Sequence, residues 1–88
     1  MIELCDYAKS KILILEKLGF GVTEDEIKEV VKRPSRVVFG KKGRKIAQRP
    51  VSETHLLRVI YEEHGRDKMV ITFYPARRER YEKHESEL

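Results

Sequence analysis

Residues 55–81 hold two apolar arms on either side of a polar turn, and few folds can accommodate that pattern. The arms, residues 56–62 and 68–74, are rich in Val, Ile, Phe and Tyr, side chains that suit a pleated, half-buried surface. His64, Gly65, Arg66 and Asp67 make the turn between them. Pairing centred on that turn predicts that Leu57, Val59 and Tyr61 share a face with Val70, Thr72 and Tyr74, and that Leu56, Arg58 and Ile60 share the other with Ile71 and Phe73. Both faces are mostly apolar, which puts the hairpin in the middle of a sheet. Arg58 is the exception, a cation on a strand whose neighbours should be covered. Pro75 is expected to end the second arm, and Arg77, Arg78, Arg80 and Tyr81 follow it.

The remaining elements are what such a hairpin needs to bury itself. Residues 1–4 read either as a short leading edge strand or as an unstructured start. Residues 6–18 read as a helix, with Asp6 as its cap and Ala8, Ile12, Leu15 and Leu18 on one face. Leu13 and Ile14 widen that stripe, either as further core or as a surface that a partner covers. Gly19 ends the helix. Thr23 and Glu26 form a capping box, and Val22 and Ile27 stand at hydrophobic-staple positions. A second helix over residues 24–33 follows, with Ile27, Val30 and Val31 as its buried stripe and Pro34 as its stop. The periodicity then changes to that of strands over residues 36–39 and 44–49. Gly40, Lys41, Lys42 and Gly43 join them in a loop whose glycines supply positive φ. In the second of these strands Lys45, Ala47 and Arg49 point one way and Arg44, Ile46 and Gln48 the other. The predicted architecture is a single α+β domain over residues 1–88: two N-terminal helices on one face of an antiparallel four-stranded meander, then a short helical tail over residues 76–85.

Charge distribution narrows the function. A chain with 39% charged and 40% apolar residues has enough hydrophobe, patterned clearly enough, to fold despite its charge. Residues 31–52 carry Lys32, Arg33, Arg36, Lys41, Lys42, Arg44, Lys45 and Arg49 and no acid. A polyanion is the expected partner of such a block; its alternative role is to keep a small protein in solution. The longest apolar run, residues 12–15, is far short of the roughly 20 residues that span a bilayer, and no signal-peptide pattern opens the chain, so the expected location is the cytoplasm. The single cysteine, Cys5, has no internal disulfide partner and no zinc-site spacing, and reads as a packing residue. Absence of Asn and a single Gln, Gln48, in a chain rich in Lys, Glu and Arg hint at a thermophilic source.

Residues 57–62 (LRVIYE), the turn, Val70-Ile71-Thr72 and Arg77-Arg78-Glu79-Arg80-Tyr81 together resemble the C-terminal half of the RelE superfamily of bacterial and archaeal toxins. Asp6-Tyr7-Ala8-Lys9, Gly21-Val22-Thr23-Glu24-Asp25-Glu26-Ile27 and the closing arginine run are similar to its BrnT-like branch and to a related family of small domains. The resemblance covers most of the chain. It implies a messenger-RNA endoribonuclease, free or ribosome-associated, held inactive by a co-expressed antitoxin protein, with self-association into a homodimer as a further assembly. By position it implies Arg58 as the phosphate-binding strand arginine, Lys45 and Arg49 as basic residues of the preceding strand, Arg77, Arg78 or Arg80 as the arginine after the strand, and Tyr81 as the tyrosine beyond it. Arg36, Lys41, Lys42, Arg44, Arg49 and Arg80 would then bind RNA. No cofactor or metal is implied. The alternative is a non-catalytic nucleic-acid-binding or protein-interaction module of the same fold.

These residue types suit the chemistry independently of the resemblance. Cleavage of RNA by its own 2′-hydroxyl needs a base for that hydroxyl, cations around a phosphorane gaining negative charge, and an acid for the leaving oxygen. Arginine matches phosphate oxygens bidentately. Tyr81 or Lys45 could serve as base if neighbouring cations lower its pKa. His55, His64 and His84 read as surface residues of loop ends and tail. Arg77, Arg78 and Arg80 could equally form the solvated face of a terminal helix, paired with Glu82 or Glu85. The catalytic reading requires Arg58, Lys45 and at least one of Arg77, Arg78 and Arg80 on one sheet face, within reach of a single phosphate. It also expects Arg44 and Lys45 to matter more for RNA binding than the loop residues Lys41 and Lys42.

Overall fold

A computed structural model describes residues 1–86, with side chains to Glu82. The surface position expected of His84 and the pairing offered for Glu85 lie outside the described side chains. The order of elements is β1 (Ile2–Leu4), α1 (Asp6–Lys17), α2 (Glu24–Lys32), β2 (Arg36–Phe39), a 3-10 turn (Lys41–Gly43), β3 (Lys45–Pro50), β4 (His55–His64), β5 (Asp67–Arg77) and α3 (Arg78–Ser86).

The sheet has five strands in the order β1-β5-β4-β3-β2. β2 to β5 form the expected antiparallel meander. β1 adds a fifth strand, parallel to β5 through Ile2↔Lys68 and Leu4↔Val70. The sheet is therefore mixed, not wholly antiparallel. β1 and β2 are the two edges of the sheet; α1 and α2 connect them, and β5 comes back beside β1 only after the meander, a long connection of the kind that parallel pairing requires.

Helices α1 and α2 cover one face. Thr23 Oγ1 accepts from Glu26 N at 3.1 Å while Glu26 Oε1 accepts from Thr23 N at 3.0 Å, so the capping box forms as expected. It fixes α2 with Ile27, Val30 and Val31 fully buried against Ala47, Leu57, Val59, Tyr61, Val70 and Phe73. In α1, Ala8 is buried and Ile12 and Leu15 pack at the core's edge. Leu13, Ile14 and Leu18 are exposed (61, 55 and 76%), so the apolar stripe is narrower than its composition implies. Asp6 is not the cap; Cys5 holds that position, and its thiol donates to Ile71 O at 3.2 Å.

Ile71 is also where the central hairpin departs from expectation. The turn falls where predicted, with His64 opposite Asp67 and Gly65 at φ +66. Farther out, Tyr61 pairs with Val70 but Ile60 pairs with Thr72, leaving Ile71 unopposed in a β-bulge. One extra residue reverses which face each later side chain meets. Val59 therefore faces Phe73 in the helix-covered core, and Arg58 faces Tyr74. Pro75 does not end β5, which runs on to Arg77. β1 pairs only with residues 68–70, so Pro75 has no strand on its outer side and its missing N–H breaks no ladder there. In the β2–β3 loop Gly43 (φ +75) has the expected positive φ, and so does Lys42 (φ +59) in place of Gly40.

Candidate nucleic-acid interface

On the sheet face away from α1 and α2, alternation along β3 and β4 presents Gln48 and Arg58, with Tyr74 of β5 beside them. Arg58 is only 9% exposed. Its Nη1 donates to the Tyr74 hydroxyl at 2.7 Å. α3 turns back over this face and lays the Tyr81 ring under the guanidinium, 4.2 Å from Cζ to the ring centroid, with the Tyr74 ring at 5.7 Å. Among the described residues no carboxylate pairs with Arg58, and its Nε is buried without a hydrogen-bond partner. A buried cation is ordinarily neutralised by an acid. Here phenolic oxygens and ring faces take that place, and the Nε–H is left without an acceptor.

Arg58 and Tyr81 open into a depression of about 410 Å³ that also takes in Gln48, Arg36 and Arg80. The same sheet face continues over Ile46, Ile60 and Thr72 to Lys41 and Lys42 on the 3-10 turn. The two tyrosines are driven apart in acidity. Burial raises the Tyr74 pKa, and this outweighs the opposing charge of Arg58. For Tyr81 burial acts in the same direction, but polar contacts with Tyr74 and Arg58, and the charges of Arg58 and Arg80, bring its pKa below the ordinary tyrosine value.

Several predicted site residues lie elsewhere. Lys45 is opposite Tyr61, on the helix-covered side, and its ammonium pairs with Glu63. That hydrogen bond raises the Lys45 pKa, opposite to the lowering that a base role would need. Arg58 and Lys45 thus do not share a face, which corrects the expectation of a single phosphate held by both. Arg49 is also on the helix side, where its Nη1 donates to Arg33 O at 2.6 Å and satisfies the carbonyl at the end of α2. Arg44 is held by Glu62 at 2.9 Å. Arg78 pairs with Glu82 at 2.7 Å and donates to Ser52 O at 3.1 Å, pinning the start of α3 to the β3–β4 loop. Arg77 is opposite His55 at the strand's end, on the parity opposite to Arg58. Of Arg77, Arg78 and Arg80, only Arg80 lines the Arg58 depression.

Tyr74 and Gln48 are site residues that the sequence pattern missed. The β-bulge hides Tyr74, because unbroken alternation places Phe73 near Arg58. Gln48 directly opposes Arg58 across β3 and β4, and is buried at 4% exposure. Among the described residues no cluster of His, Cys, Asp and Glu could hold a metal ion, and no helix is long and apolar enough to cross a membrane. No protein-family model matches the chain, and no curated protein or solved structure matches it.

Proposed function

We propose that the chain is a RelE-like endoribonuclease that binds the reacting phosphate of single-stranded RNA at Arg58. The observation that carries the reading is a buried arginine with no carboxylate partner among the described residues, stacked on Tyr81 at 4.2 Å in a depression with two more arginines. Among the described residues no carboxylate neutralises the guanidinium, which supports its use as a phosphate ligand.

The pair of tyrosines supplies the two proton transfers. Groups whose surroundings push their pKa values in opposite directions are suited to opposite roles. Tyr81, lowered, takes the proton of the 2′-hydroxyl. The 2′-oxygen attacks phosphorus and the bond from phosphorus to the 5′-oxygen breaks. Tyr74, raised, keeps its proton at neutral pH and delivers it to the departing 5′-oxygen. Arg58 and Arg80 balance the charge that builds on the non-bridging oxygens. The products are a 2′,3′-cyclic phosphate and a 5′-hydroxyl. Lys45, which the resemblance implies as a participant, has no part in this scheme.

An antitoxin covering this face would be the protein partner of such an enzyme. The test is incubation of a labelled messenger RNA with the purified protein in the presence of a chelator. Cleavage is expected for the wild type and is lost in Arg58→Ala and Tyr81→Phe. Salt-sensitive RNA binding by the wild type without cleavage would instead support a non-catalytic nucleic-acid-binding module.

A further inference from the structure

A second depression, of about 510 Å³, adjoins the Arg58 site and shares Arg80 and Tyr81 with it. Its volume falls in the range typical of small-molecule sites. One wall is the pair Phe20 and His55, whose ring centroids are 6.3 Å apart at an interplanar angle of 61°. Pro75 and Ala76 add apolar surface from the end of β5. β5 has no strand beyond residue 70 on its outer side, so the backbone of this stretch is an open sheet edge among the described residues.

We infer that this cavity is a nucleobase pocket for the nucleotide whose phosphate sits on Arg58, with His55 and Phe20 as the stacking surface. The inference rests on the reading of Arg58 as a phosphate ligand. Three observations combine to give it. Tyr81 is a shared wall, so a nucleotide with its phosphate against the guanidinium can put its base on the far side of that ring. The cavity offers aromatic faces and apolar carbon for the π-surface of a base. Its polar groups lie where the edge of a base would reach: the open strand edge, and Arg77 and Glu79, both exposed. A flat ring with a hydrogen-bonding rim is the ligand such a combination fits, and bases splayed out of single-stranded RNA are bound in this way on aromatic side chains.

The probe is a short fluorescein-labelled oligoribonucleotide, 2′-O-methylated throughout so that it cannot be cleaved, compared by fluorescence anisotropy with versions carrying one abasic nucleotide at each position in turn. For the wild type, at least one abasic oligomer should bind about tenfold more weakly than the intact one, the size of one base–aromatic stack. His55→Leu should bind the two equally, and His55→Phe, which keeps an aromatic face, should restore the difference. Thermal melts of both variants show that they are folded. If the wild type binds every abasic oligomer as tightly as the intact one, while Arg58→Ala loses affinity for all of them, the base pocket is wrong and the phosphate site stands. Persistence of the difference in folded His55→Leu would also overturn the assignment to this cavity. No binding of any oligomer by the wild type at low salt would remove both readings.

Discussion

Arg58→Met separates a functional arginine from a structural one, because the structure gives both sides of the balance. The substitution keeps the apolar stem and removes the guanidinium from a site that is 9% exposed. Two favourable contacts are lost: the hydrogen bond to Tyr74 at 2.7 Å, worth about 1.5–3 kcal/mol when one partner is charged, and stacking on Tyr81 at 4.2 Å, worth about 0.5–2 kcal/mol. Against this, burying a cation without an acid costs several kcal/mol, and that term disappears with the charge. Tyr74 is only half-buried, so water can replace its lost partner. The opposing terms cancel to within about 1 kcal/mol, a shift in Tm of no more than about 4–8 °C for a domain of this size. Cleavage should fall on the order of a hundredfold or more, as when one donor to a developing anion is removed. Melts followed by circular dichroism, and single-turnover cleavage of a labelled RNA by the same samples, measure both. A Tm more than about 10 °C lower, or cleavage unchanged by the substitution, would refute the reasoning.

Three further outcomes follow from where the charges lie. Lys45→Met, on the helix-covered face and paired with Glu63, should leave the cleavage rate within about threefold of wild type in the same assay, in contrast to Arg58→Met. Replacing Lys41 and Lys42 by Gln should reduce the log–log salt dependence of RNA binding by up to about 1.4, or about 0.7 for each phosphate contact, whereas Arg44→Gln should change it little because Glu62 already holds that side chain. Glu62 and Glu63 both titrate below their ordinary value, through hydrogen bonds from Arg44 and Lys45. Their contribution to stability is therefore present above the unfolded carboxylate pKa and lost as pH falls through the folded one; Tm measured down the acid limb should fall less steeply in a Glu62→Gln, Glu63→Gln double variant.

What could be read from the sequence is what depends on local pattern. The Thr23–Glu26 capping box, the α2 stripe and the turn at Gly65 each draw on residues a few positions apart, and all appear as expected. The misplaced features depend on register across strands. A single unopposed residue, Ile71, moves Tyr74 next to Arg58 and sends Phe73 to the core, and nothing in the run Val70-Ile71-Thr72-Phe73 announces it. Residues 31–52 hold no acid, yet Glu62 and Glu63 on β4 lie across from Arg44 and Lys45 and neutralise part of the basic block. Burial of Arg58 among apolar neighbours was legible from its strand; that tyrosines surround it instead of a carboxylate was not, because Tyr81 arrives from α3 through tertiary packing. β1 was ambiguous for the same reason, since three residues acquire strand structure only by pairing with the distant β5.

The central claim is that Tyr81, made more acidic by its surroundings, is the base for RNA cleavage at Arg58. The pH dependence of single-turnover cleavage, with a chelator present, tests it most directly. The rate should rise with pH and level off below the ordinary tyrosine pKa of about 10, with a 2′,3′-cyclic phosphate at the new end, and Tyr81→Phe should lose that rising limb along with most of the rate. No cleavage by the wild type, or an identical profile in Tyr81→Phe, would contradict it.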